Sequence, residues 1–80
     1  MKVYIVKCKE YSLSSPKEYI LSVSSTEELA KKSSALLRED FQSQLGGSWA
    51  QLQDLDWDTD RWENKFNLQI IFTQEWGVDL

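Results

Sequence analysis

The chain contains no histidine. That removes the most frequent general base, the commonest metal-binding side chain and every nucleophile–histidine arrangement, so catalysis would have to rest on carboxylates, lysines or tyrosines. Cysteine occurs once, at Cys8. It can form no intrachain disulfide, and a lone thiol fits a reducing compartment and a buried place in a strand. Glycine is scarce, and its one pair, in "LGGS", follows a helix-like stretch, whereas a phosphate cradle follows a strand and opens a helix. Long apolar runs are missing too. In "MKVYIVK" only Val3 to Val6 are consecutively apolar, far short of the roughly 7–15 residues of a signal peptide or the roughly 20 of a membrane span. These absences point to a cytoplasmic, non-enzymatic protein with no cofactor and no metal.

What is present is acidic and aromatic. Eighty residues make one domain, residues 1–80, near the size at which a single core supplies only a few kcal/mol of net stability. The net charge is −4, unevenly spread: residues 1–40 carry seven basic and six acidic side chains, whereas residues 41–80 carry two basic and seven acidic ones. The acidic half also holds all four tryptophans, so it should fold rather than hang as a tail. Direct nucleic-acid binding is disfavoured, because neutralising phosphates requires clustered Lys and Arg.

Periodicity supplies the elements. "KVYIVKC", residues 2–8, is apolar on both faces in its middle, as an interior strand is. "EYSLSSPK" is a connecting loop. "EYILSVS" alternates Tyr19, Leu21 and Val23 against Glu18, Ser22 and Ser24, with Ile20 as the exception. Ser25 followed by Glu28 is a capping box that starts a helix. Leu29, Ser33, Leu36, Leu37 and Phe41 form its inward stripe, with Ala30 and Leu45 beside it, and Gly46 and Gly47 end it. "SWAQLQDLDW" has strand texture, a short helix over 48–54 being the alternative. "DTDRWENK" reads as a turn or loop, and "FNLQIIFTQEW" as the last strand, with Phe66, Leu68, Ile70, Phe72 and Trp76 on one face and Ile71 on the other. The expected fold is α+β, in the order ββαββ, an antiparallel sheet with one helix packed on one face.

The candidate site is "DLDWDTDRW", which places Asp54, Asp56, Asp58 and Asp60 at alternate positions. A calcium loop is excluded on pattern: started at Asp56 or at Asp54, the turn-glycine position is Arg61 or Thr59, and the bidentate-Glu position is Asn67 or Lys65. In an extended chain, alternate residues share a face about 6.6 Å apart, of the order of the spacing between phosphates on a nucleic-acid strand. Such a row can dock on a basic protein groove, or can simply keep an edge strand from aggregating. Trp57, Leu55 and Trp76 are expected in the core. Trp62, beside Arg61 and Glu63, has the composition of an interface anchor. The expected docking surface is therefore Asp54, Asp56, Asp58, Asp60, Arg61, Trp62 and Glu63.

A compact acidic strand-strand-helix-strand-strand chain beginning "MKVYIVK" resembles, in size, architecture and acidity, the small anti-CRISPR inhibitors of phages and mobile elements. The resemblance implies an inhibitor whose acidic surface docks on the basic groove of a nucleic-acid-handling complex, with no membrane and no direct nucleic-acid contact. The alternative is a structural, assembly or antitoxin-like module acting through strand pairing or as a homodimer.

Overall fold

The computed structural model describes residues 1–11, 14–53 and 58–77, and only the backbone of Asp58 and Thr59. In chain order the elements are β1 (Lys2–Glu10), β2 (Lys17–Ser24), α1 (Glu27–Leu45), β3 (Ala50–Gln51), β4 (Asp58–Asn64) and β5 (Gln69–Gly77). The strands form one antiparallel sheet in the order β2-β1-β5-β4-β3. The expected α+β class, with one helix on one face of an antiparallel sheet, is what the chain adopts.

Several boundaries differ from the sequence reading. The segment expected to be a turn, "DTDRWENK", is mostly strand β4, because Trp62, Glu63 and Asn64 find partners in Ile71, Ile70 and Gln69 of β5. That pairing outweighs the weak local preference of an Asp-rich run. The turn lies at residues 65–68 instead, with Leu68 at φ 55. The described residues of 48–54 hold no helix, and β3 is reduced to two residues. Leu55 and Trp57 lie outside the described residues.

Helix α1 starts one residue later than expected. Thr26, not Ser25, is the cap, its Oγ1 accepting the Leu29 amide at 3.2 Å. Glu27 and Glu28 fill the first turn, where the helix dipole favours carboxylates. The inward stripe is also rotated by about one position. Ala30 and Ser34 are buried, with Leu37 and Phe41 packed against the core, while Leu36 is 65% exposed and Leu29 49%. Small side chains at 30 and 34 let the helix axis approach the sheet, and the bulkier leucines turn outward.

Paired residues in an antiparallel ladder share a face. The face under α1 carries Tyr4, Val6 and Cys8 of β1 and Ile71 and Thr73 of β5. The core is Val6, Cys8, Ala30 and Ile71, with Tyr4, Leu21, Leu37, Phe41 and Trp49 packed around it. Val3, Ile5, Lys7 and Lys9, with Ile70, Phe72, Gln74 and Trp76, point to the opposite face. A bulge between Val6 and Lys7 explains the exceptional Ile20. It shifts the phase of β2, so that Ile20 pairs with Lys7 and Val23 with Ile5, both on the face away from the helix. The expected grouping of Val23 with Tyr19 and Leu21 therefore does not hold.

Near the end of β1, Tyr19 donates to Glu10 at 2.6 Å and Tyr11 to Glu63 at 2.9 Å. Burial raises the pKa of the Cys8 thiol. Partial burial followed by the carboxylate hydrogen bond raises both tyrosine hydroxyls. All three groups hold their protons more tightly folded than unfolded. Their contribution is present below the ordinary values, about 8.5 for cysteine and about 10 for tyrosine, and is lost as pH rises through the raised ones. The urea midpoint is expected to fall between about pH 8 and pH 11, and to fall less in a Tyr11→Phe/Tyr19→Phe variant. An equal decline in both proteins would remove the tyrosines as the cause.

Candidate functional site

Two surfaces emerge, one on each side of the sheet. The first lies where α1 passes the β3–β4 edge. Here the Arg38 guanidinium stacks 3.7 Å above the centre of the Trp62 ring, and Trp49 Nε1 donates to the Arg38 carbonyl at 2.9 Å. Burial lowers the Arg38 pKa, and the Asp60 carboxylate opposes that shift; the guanidinium stays charged. Trp62 Nε1 in turn donates to Asp60 Oδ1 at 2.8 Å. Together Arg38, Glu39, Gln42, Trp49 and Trp62 border an open cleft of about 310 Å³.

This geometry revises the expected acidic ladder at its last member. Asp60 is not held outward: it is 9% exposed, at φ 50, inside a bulge between Thr59 and Trp62. The bulge breaks the strict alternation on which the ladder depends. The Asp60 carboxylate serves the molecule's own Trp62 and Arg38. Asp54 and Asp56 lie outside the described residues, and Asp58 is described only as β4 backbone opposite Gln74. Arg61 is half-buried, its carbonyl accepting the Leu52 amide at 2.7 Å. Trp62 and Glu63 are neighbours in sequence but point to opposite faces, since Trp62 pairs with Ile71 and Glu63 with Ile70. The structure thus brings Asp60 and Trp62 together and sets Glu63 apart from them.

The second surface is the sheet face away from α1. Ile20 and Val23 are 59% and 60% exposed, and Trp76 is 49% exposed, so the expectation of a core Trp76 is overturned. The cause is the side on which the helix packs. Ile70, Phe72 and Trp76 do share a face, as the alternation in the sequence says, but α1 covers the other one, around Ile71. Lys7 stretches along β5 until its Nζ is 5.4 Å from the Trp76 ring centre, and its stem screens Phe72, its ladder partner. Across β5, Lys9, Ile70 and Glu63 form one row, basic at β1 and acidic at β4. Tyr11, hydrogen-bonded to Glu63, closes that end.

The sequence reading missed Arg38 and Tyr11, which reach the site only through tertiary contacts. It saw the apolar residues of the open face without placing them there. The signals were Ile20 breaking its alternation and the two apolar faces of "FNLQIIFTQEW". Among the described residues no group of three or more acids or cysteines is placed to hold a metal ion, and no helix is long and apolar enough to cross a membrane. No protein-family model matches the chain, and no curated protein or solved structure matches it either.

Proposed function

We propose that the protein is a non-catalytic interaction module that works by protein–protein association through the face of its sheet opposite α1. The observation that carries this reading is the concentration of apolar side chains there, with Ile20, Val23 and Trp76 about half or more exposed. Contiguous apolar patches of this kind mark association surfaces on small proteins. A photo-crosslinking residue placed at Ile20, with Leu36 on the outer side of α1 as the control, tests it in the expressing cell. Adducts to any protein, including the chain itself, from position 20 and not from position 36 are the expected result. No adduct at position 20 overturns the reading.

A second reading keeps the acidic surface in charge. The net charge of −5 over residues 41–80, with Glu63 and the Asp58 backbone position on β4, supports an anti-CRISPR-type inhibitor that docks on the basic groove of a nucleic-acid-handling complex in the cytoplasm. Its mark is a crosslinked partner from which the protein displaces DNA or RNA, with an association rate that falls steeply with salt.

A further inference from the structure

We infer that the occupant of the open sheet face is a second copy of this chain, related by a two-fold axis running along β5. The inference rests on the association reading above and adds to it the identity and geometry of the partner.

Topology comes first. β5 is the middle strand of the five. A two-fold rotation about an axis parallel to it turns one face onto the other, sets β5 over β5, and exchanges the strands on either side. β1 of one copy then lies over β4 of its mate, and β2 lies over the two-residue β3, which covers only the part of β2 level with Lys9 and Cys8.

Charge selects this axis over the other in-plane choice. The row Glu18–Lys9–Ile70–Glu63 reads acidic, basic, apolar, acidic across β2, β1, β5 and β4. The rotation reverses the row in the second copy, so each Lys9 faces the other copy's Glu63 while Ile70 meets Ile70. An axis perpendicular to the strands lays β1 over β1 instead. On this face β1 offers Val3, Ile5, Lys7 and Lys9 and no carboxylate, so Lys9 keeps only Glu18 of its own chain and gains no second carboxylate from its mate's β1. A closed two-fold pair is also the commonest way in which identical chains satisfy one self-complementary face.

Area and stability agree. β1 and β5 are nine residues each, about 30 Å at about 3.3 Å per residue; the sheet averages about 20 Å across after allowing for the short β3, a plan area on the order of 600 Å². Side-chain relief enlarges the accessible area above the plan, toward the about 800 Å² per partner of a standard interface. Sheets stacked in this way pack about 10 Å apart with interdigitated side chains. The monomer also has reason to associate. Its fully buried apolar core among the described residues is small, Val6, Cys8, Ala30 and Ile71, and chains of this size commonly complete their core by oligomerising.

Sedimentation equilibrium of the purified chain over a wide concentration range tests the inference. The expected result is a mass rising from 9.4 kDa toward twice that value. Lys9→Glu, which opposes two pairs of like charges, should weaken dimerisation by at least about tenfold, and Lys9→Glu/Glu63→Lys should recover most of the loss. Ile20→Lys, at an exposed position, should leave the thermal melt of the dilute protein unchanged and weaken the dimer. A mass of one chain at every concentration overturns the inference, as does a dimer indifferent to Lys9→Glu and Ile20→Lys. A monomer that still crosslinks to a different protein from position 20 overturns only the identity of the partner and leaves the association reading standing.

Discussion

Replacing Ile71 by alanine should destabilise the fold by about 3–4 kcal/mol, the range for emptying a large aliphatic site in a closed core. Ile71 is fully buried between the sheet and α1, in one cluster with Val6, Cys8 and Ala30. Because the core is small, few neighbours can move in to fill the space. A chain of this length has a total stability of about 4–12 kcal/mol, so the loss would take from about a quarter to nearly all of it. Urea denaturation measures the loss. With a slope of about 1 kcal/mol per molar for a small domain, the midpoint should drop by roughly 3 M. Its sequence neighbour Ile70, half-buried on the opposite face, is the control. At concentrations where the chain is monomeric, Ile70→Ala should cost less than half as much. Equal losses would show that the two faces are equally enclosed and would remove the basis for an open one.

Gly47→Ala is expected to lower the melting temperature by about 15 °C. Gly47 has φ +80, and a Cβ there would lie 2.5 Å from Asn64 Oδ1 and 2.8 Å from Phe66 Cβ. The left-handed conformation costs a non-glycine residue about 1–2 kcal/mol. The contact adds to this because Asn64 is fully buried and committed: its Nδ2 donates to the Gly46 carbonyl at 3.3 Å and its Oδ1 accepts the Asn67 amide at 3.2 Å. Asn67 Nδ2 reaches the same carbonyl at 3.0 Å. These bonds tie the end of α1 to the β4–β5 hairpin, and moving the amide loosens them together. A total of about 3 kcal/mol follows, at roughly 4–8 °C per kcal/mol for a domain of this size. Gly46→Ala separates the two contributions. Its φ is +81, yet its Cβ would meet only Phe66 Cε1 at 3.6 Å, so about 1–2 kcal/mol is expected. Equal losses at both positions would mean that the Asn64 contact contributes nothing.

The parts of the fold legible in the sequence are those set by local chemistry. β1 reads as an interior strand because apolar residues occupy both its faces, and it lies between β2 and β5. The helix reads from its Ser/Thr-Glu start and its glycine stop, while the capping residue, Thr26 rather than Ser25, and the rotation escaped. Leucines are the usual inward residues, whereas here Ala30 and Ser34 take that place because close approach to the sheet needs small side chains. β4 was hidden because Asp58, Asp60 and Asn64 give "DTDRWENK" the polar composition of a turn, and the ladder with β5 decides otherwise. The candidate site was the least legible part. The regular spacing of aspartates implies an outward row only while alternation is unbroken, and one bulge turns Asp60 toward Trp62 and Arg38. Which of two apolar faces the helix covers is likewise a packing outcome that periodicity alone leaves open.

The central position of the β1–β5 ladder bears on how the chain is made. Lys2 pairs with Gly77 and Glu10 with Gln69, so β1 waits for a strand that follows it with β2, α1, β3 and β4 in between. Until residue 77 has left the ribosome, Val6 and Cys8 have only β2 and α1 for company, with one edge of β1 open. The sheet is therefore expected to close only once β5 is available, and a ribosome stalled before β5 would hold a chain able to recruit chaperones.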